Sequence, residues 1–468
     1  MKKIIFTIGM AIMVGTTIQA QNQPDSPSAT LPHREGTGVG LYTLQQCKQE
    51  ALKNNIAIRK ADNSIRSAEE QRKEAYTNYF PNVSASGAYF HANKSMVDGT
   101  INPAEYIPAE LATMIPVEIA GMMGSPIPFS MMKHGTLGTV TALQPVFAGG
   151  QIVNGNKLAK VGVEATQLQR QLSAREVELT TERYFWQLVQ LREKIKTLDA
   201  ASKSLESIEK DVKVAIKAGV ALNNDLLQVQ LHQNELASNR VQLENGIRIS
   251  KRVLAQYIGV PYSESFDIQV PEIDASKYQQ TPLPSLQEEE LGLSLLPEYQ
   301  LLEKNVQVNQ LQQKMEFGKN LPTVAVGAGY IYNDLMDKSV NRGLLLAQVS
   351  IPISQWWGGS HAVKRKKIAV QQAQEELENN RELLLINMQA KWDNLDAARK
   401  QLAIARKSIE QADENLRIQT NSYKAGTLTM SDLLQAQTQS QQARDRFTEA
   451  YTDCQIKALE YQQATGQK

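Results

Sequence analysis

The sequence predicts a mainly helical chain with four membrane-type β-strands, built from two copies of one unit. Three observations predict it. The stretch Tyr423 to Gln437, Y-K-A-G-T-L-T-M-S-D-L-L-Q-A-Q, has a twin at Ile216 to Gln230, I-K-A-G-V-A-L-N-N-D-L-L-Q-V-Q. Very long amphipathic patterns, 152–217 and 360–423, run into these twins. Four other stretches alternate with a period of two, the mark of a strand with two unlike faces.

The twins fix the repeat. Gly426 − Gly219, Asp432 − Asp225 and Pro352 − Pro145 all give 207. In each twin Lys-Ala-Gly (Lys217, Ala218, Gly219; Lys424, Ala425, Gly426) stops a helix, because glycine accepts the left-handed backbone that closes a helix end. Asn224/Asp225 and Ser431/Asp432 are residue types that cap the next helix. Each twin is therefore the tip of a helical hairpin, and the duplication defines the architecture.

The first twenty residues read as a signal peptide: Lys2 and Lys3, an apolar run to Ile18, and a cleavage site at Ala20. The run is short for a retained anchor, and no cysteine follows it for lipidation. Residues 21–43, rich in Pro and Gly, form a linker; their G-T-G-V-G lacks the strand and Gly-Lys-Ser/Thr of a phosphate loop. The first repeat spans 44–258. A helix (44–78) leads to Phe80-Pro81 and a strand (82–90) with Val83, Ala85, Gly87 and Tyr89 on one face. A second strand (135–144) carries Leu137, Thr139, Thr141 and Leu143 on one face and ends in P-V-F-A-G-G. An inter-repeat segment (259–285) follows. The second repeat, 286–468, has the same order: helix 286–318, strand Thr323 to Tyr332, strand 343–353, then Q-W-W-G-G and the long helix. From Pro81 to Pro145 is 64 positions and from Pro322 to Pro352 only 30, so the first repeat carries an insert, 95–132. Its six methionines are irregularly spaced, which suits an apolar loop better than a soft-metal site.

The helix lengths exclude an ordinary globular core. At 1.5 Å per residue the long helices reach ~100 Å, and one descending helix plus one entry helix, end to end, match that length. Leu191, Leu198, Leu205 and Val212 recur every seven residues, as do Met388, Leu395, Leu402, Ile409 and Leu416, with Ala398, Ala405 and Ala412 beside them. That period is a coiled-coil seam, and the alanines let helices approach closely. The wall is thus built of paired helices. The strands have the ~9–11 residues of a tilted membrane strand. Four cannot close a barrel; two chains would give eight strands with a filled interior, three chains twelve with an open lumen. Phe80, Phe147, Trp356 and Trp357 stand at strand ends where an aromatic girdle belongs, or else pack the strand-to-helix junction.

The 21% charged content and net charge of +1 give no basic stripe for nucleic acid. Five scattered histidines (His33, His91, His134, His232, His361) form no catalytic or metal motif, so no enzyme activity, cofactor or metal is expected. Cys47 and Cys454, the only cysteines, come out at heights on the wall differing by ~7–10 Å, which makes one bridge a candidate in an oxidising compartment.

Over residues 41–466 the chain resembles the TolC family of outer-membrane efflux proteins. The resemblance rests on the duplicated helix–strand–strand–helix–hairpin order, on P-V-F-A-G-G (145–150) and P-I-S-Q-W-W-G-G (352–359), and on both K-A-G tips followed by Asp-Leu-Leu. It implies a homotrimer with a twelve-stranded β-barrel in outer-membrane lipid and a periplasmic α-helical tunnel. It also implies a mixed belt formed partly by 259–285. Its partners would be a periplasmic adaptor, met at the helix tips, and an inner-membrane pump of the RND or ABC type. By the same resemblance Tyr423 and Asp432 belong to the tunnel constriction. Leu428 stands where the family has a basic partner, and Gln435 where it has a second acidic residue. An adaptor is the competing reading, but it would carry one hairpin and no membrane strands.

Overall fold

The computed structural model describes residues 41–106, 108, 114, 116, 127–273, 275, 289–334 and 339–466. The expected signal peptide, the linker up to residue 40, much of the insert and part of the inter-repeat segment lie outside the described residues.

The membrane-type sheet contains β2 (Asn82–His91), β5 (His134–Ala148), β7 (Thr323–Asp334) and β8 (Val340–Ser350) in the order β2-β5-β7-β8, every neighbour antiparallel. Register decides the faces, since side chains alternate along a strand. Val83 lies opposite Ala142, Val140 opposite Tyr330, Ala328 opposite Leu345 and Val324 opposite Val349, making one apolar face. On the other face Ser84 and Ser86 share hydroxyl hydrogen bonds of 3.0 and 2.7 Å with Thr141 and Thr139. Leu137 and Leu143 fall on this hydroxyl-bearing side. β5 runs to Ala148, beyond the expected end at 144. Pro145, which cannot donate to the ladder, is accommodated by a register shift before Phe147. In the second repeat Pro352 lies outside the strand, because β8 ends at Ser350. A separate hairpin, β3 (Val97–Ile101) with β4 (Ile127–Met131), rises from the insert.

The wall helices are α3 (Gln151–Lys217) and α7 (Gln355–Lys424), each followed by a descending helix, α4 (Asn223–Ile258) and α8 (Met430–Ala464). Neither entry helix is continuous as expected. The first divides into α1 (Leu44–Asn54) and α2 (Ile56–Thr77), the second into α5 (Glu289–Ser294) and α6 (Pro297–Gly318). The breaks are symmetric: Leu296 − Asn55 gives 241, the same as Pro322 − Pro81. Each break is where a descending helix ends. Gly259, closing α4 at φ 73°, would press a β-carbon to within 2.5 Å of Asn54, and Gly466 beyond α8 similarly abuts Leu295 at 3.2 Å. Asn55 holds its joint by accepting from the Ala57 N–H and donating to the Tyr257 carbonyl, at 2.7 and 2.8 Å. An end-to-end stack thus forms, with α1 and α5 folded aside to let it.

The layers share one order. Near the sheet the helices run α2-α3-α6-α7, and toward the tips α4-α3-α8-α7. The expected seams are the core: Leu198, Leu205 and Val212 are buried along α3, and Leu395, Leu402 and Ile409 along α7. At mid-wall β1 (Leu41–Tyr42) pairs in parallel with β6 (Asp267–Ile268), so the end of the expected linker is a strand. Asp267 is held there by Arg192 and Lys251. Burial pushes its carboxyl up, but the Ile268 N–H and these two cations outweigh that and leave it below the usual range.

The candidate Cys47–Cys454 bridge is not formed. Both thiols are free and buried, Cys47 packed with Leu188 and Leu254, Cys454 with Leu395 and Phe447 in a separate cluster. The similar heights expected from helix lengths did not bring the two into one cluster. Burial raises both thiols, Cys47 to about 12, which removes the reactive thiolate.

Glu460, on α8 at mid-wall, is buried and accepts from Lys391 and Arg183, both at 2.8 Å, with Lys457 at 3.4 Å. Burial raises its carboxyl, and these three cations reverse that and lower it from 4.5 to about 2. Its contribution is complete above the unfolded value and is lost as pH falls through the folded one. Glu460→Gln should cost about 2 kcal/mol at pH 7, a figure discounted because the cations are partly exposed. Thermal melts of variant and parent should converge between pH 4.5 and about 2; a constant gap would contradict the assignment.

Candidate functional site

Both hairpin tips end in the same local geometry. At the first, the Gly219 N–H donates to Ile216 O and the Val220 N–H to Ala215 O; at the second, Gly426 donates to Tyr423 O and Thr427 to Ser422 O. This pattern needs a left-handed residue, and Gly219 and Gly426 have φ of 77° and 73°. A β-carbon at either would meet nothing within 4 Å, so both turns are open to a partner. Lys217, Ala218, Lys424 and Ala425 are exposed beside them.

The caps differ from expectation. Thr429, not Ser431, caps α8: it accepts from the Asp432 N–H at 3.2 Å, and its hydroxyl donates to the Asp432 carboxylate at 2.6 Å. At the first tip the corresponding residue is Leu222, which has no side-chain acceptor; Asp225 accepts from the Leu222 N–H at 3.3 Å. The T-x-x-D pattern at 429–432 was the readable signal for the real cap.

The two tips are joined. A groove of about 890 Å³ lies between them, lined by Asp211, Val214, Asp225, Tyr423, Leu428 and others. Lys424 reaches across to Asp211 at 3.2 Å. Burial, and then the Asp225 carboxylate, raise the Tyr423 phenol above its ordinary value. Tyr423 and Leu428 pack against the buried Met430 and Leu433. Asp432 and Gln435 are exposed. The expected constriction set therefore splits: Tyr423 and Leu428 bind the tips together, and Asp432 and Gln435 begin a solvent-facing stripe. That stripe continues through Gln439, Gln442, Arg446, Glu449 and Asp453 at alternating spacings of three and four, one uninterrupted polar face of α8. Asp211 and Thr429 were not singled out from sequence.

At the opposite end, Phe80, Phe147, Trp356 and Trp357 are all substantially exposed. The tryptophans lie in the first turn of α7 rather than at a strand end, and Trp356 Nε1 donates to the Asn320 carbonyl at 3.0 Å. Tyr76 packs edge-on against Tyr79 and Phe80. Among the described residues no group of three or more His, Cys, Asp or Glu is placed to hold a metal ion. No helix among them is long and apolar enough to cross a membrane. Of the insert's methionines, Met122 and Met123 lie outside the described residues.

Residues 300–467 match the family model of outer membrane efflux proteins, a span within the second repeat. The outer membrane protein VceC from Vibrio cholerae superimposes with a TM-score of 0.70 at 14% identity, covering 91% of this chain and 96% of VceC. The fold is that of the TolC family. CusC gives a TM-score of 0.73 at 13% identity over 91% of this chain and 92% of its own. The open-state MtrE outer membrane channel of Neisseria gonorrhoeae gives 0.70 at 14%, over 91% and 89%. No curated protein sequence matches the chain. The TolC-type fold covers both repeats, although the family model reaches only the second.

The tip asymmetry is testable. Leu222→Thr should supply the missing cap and stabilise the first tip by about 1 kcal/mol, and Thr429→Ala should cost the second about as much. Hydrogen exchange of the first-turn amides of α4 and α8 reads each effect; no change in either would mean that the caps do not hold the tips.

Proposed function

We propose that this chain is the outer-membrane exit duct of a tripartite export system, passing substrates from an inner-membrane pump and periplasmic adaptor to the outside. One observation carries the reading: a four-stranded sheet with one apolar face stands on a helical wall ~100 Å tall, and every layer of the chain is open at the same two edges. β2 and β8 are the outer strands, and they run in opposite directions, so β8 of one copy can pair antiparallel with β2 of the next. The helical edges are prepared similarly. Leu227, Leu231 and Val241 on α4, and Ile386, Ile404 and Ile418 on α7, are exposed apolar residues on the outermost helices.

Three copies make a twelve-stranded barrel wide enough for a lumen, whereas two make eight strands filled by their own side chains. The homotrimer is the assembly this function requires. The Ser/Thr face lines the lumen and the Val/Tyr/Leu face meets outer-membrane lipid. An adaptor of the RND or ABC pump system engages the tips at Gly219 and Gly426. Asp432 and Gln435, near the tip end of the polar stripe, line the narrow end of the tunnel. The chain carries no catalytic role in this reading. The adaptor alternative is disfavoured, since nothing in it calls for an open membrane sheet.

Native mass measurement of detergent-solubilised protein should return trimers; monomers alone would sink the reading. Gly426→Trp should abolish export in a strain lacking the parent gene while leaving assembly intact. Normal export by that variant would remove the docking role. Three Asp432 carboxylates around one axis concentrate negative charge there and favour cations. Asp432→Asn should therefore lower cation selectivity in planar bilayers, with a weaker effect from Asp225→Asn; unchanged selectivity would leave Asp432 as part of the cap only.

A further inference from the structure

Two basic clusters sit directly below the aromatic belt, and a duct does not need them. In the first repeat Arg72, Lys73, Lys157 and Lys160 converge with Tyr76 and Tyr79 on one groove of about 690 Å³ between α2 and α3. In the second, Lys364-Arg365-Lys366-Lys367 occupies the same level: Lys364 − Lys157 and Lys367 − Lys160 both give 207. Residues 151–163 and 355–370 contain no Asp or Glu, in a chain whose net charge is only +1. Nearby carboxylates take up part of the charge: Glu69 lines the groove, Glu70 binds Lys73 at 2.7 Å and Glu164 lies 3.9 Å from Lys160. Lys366 donates to Gln312. Lys157, Lys364, Arg365 and Lys367 are exposed and make no ion pair among the described residues.

Their position points to a ligand. Lys364 follows Trp357 by seven residues, and Lys160 follows the exposed Val153 by seven, so each lies on the same helix face two turns, ~10 Å, further from the sheet. The polar zone on each side of a bilayer is ~5–8 Å deep. A lysine's flexible stem lies along the helix with its ammonium at that depth. We infer that the two clusters form a collar that binds anionic phospholipid headgroups of the periplasmic leaflet. The inference rests on the outer-membrane reading above. It adds a lipid class, chosen because unpaired cations beside interfacial aromatics attract anionic headgroups and gain nothing from zwitterionic ones.

The test uses the full-length assembled protein in nanodiscs of phosphatidylethanolamine mixed with either phosphatidylglycerol or phosphatidylcholine. Lipid retained after re-extraction into detergent is counted by native mass spectrometry. Phosphatidylglycerol should be retained over phosphatidylcholine by roughly tenfold or more. The quadruple variant Lys157→Gln/Lys160→Gln/Lys364→Gln/Lys367→Gln should lose that preference, and a control with Lys203, Lys210 and Lys407 changed to Gln should keep it. Equal retention of both lipids by the parent protein overturns the collar. So does inorganic phosphate displacing phosphatidylglycerol at equal concentration, which would mark a simple anion site. Recovery of the assembled protein in the outer-membrane fraction is scored separately. Its failure would strike the duct reading, whereas lipid indifference in a correctly located protein strikes only the collar.

Discussion

An unpaired strand edge cannot face hydrocarbon, because each unsatisfied N–H or C=O there costs several kcal/mol. The four-stranded sheet has two unpaired edges, on β2 and β8, and in the proposed outer-membrane setting both must be covered. Everything below them is arranged to be completed the same way. The helical layers follow the order of the strands they hang from, so their outermost members, α2 and α4 on one side and α7 on the other, are open where the sheet is open. A copy that pairs its strands with a neighbour also brings the apolar residues of α4 and α7 together. In the proposed assembly, barrel closure and wall closure are one event.

The wall reaches its length by splicing. A descending helix of 35 or 36 residues is about half of a rod of 67 or 70, and the entry helix makes up the rest. Each joint is sealed by a left-handed glycine backed against the break in the entry helix, Gly259 on Asn54 and Gly466 beside Leu295. Around these joints the structure concentrates buried and half-buried charge: Glu182 with Lys48, Asp267 with Arg192 and Lys251, and Glu460 with three cations. A buried carboxylate so held gives orientation more than net stability, since its desolvation offsets much of the attraction. The coiled-coil seams of Leu, Ile and Ala supply the bulk of the burial on either side.

Duplication does not make the two halves equivalent. The second tip has a hydroxyl cap at Thr429 where the first has Leu222, and it leans on the first through Lys424 and Asp211. The first repeat carries the additional β3–β4 hairpin. Just past the sheet-to-helix junction the basic residues recur in both copies, whereas the paired tryptophans there occur only in the second.

The sequence by itself determined the repeat, the strand pairs, the hairpin tips and the buried seams. Each is a local or periodic property, carried by positive-φ glycines, a period of two, or a period of seven. The breaks at Asn55 and Leu296 came from the three-dimensional fold, because a helix interrupted by the end of another helix carries little signal of its own; Pro297 marks the second break, and nothing as strong marks the first. The β1–β6 pairing likewise joins two short segments more than two hundred residues apart. The family resemblance implies Tyr423, Leu428, Asp432 and Gln435 as one constriction set, and packing divides it between the groove joining the tips and a polar face of α8. Cys47 and Cys454, expected at similar heights, sit in different clusters, because a distance along helices says nothing about direction around them. Sequence periodicity gives position along an element; only packing gives its rotation about the axis.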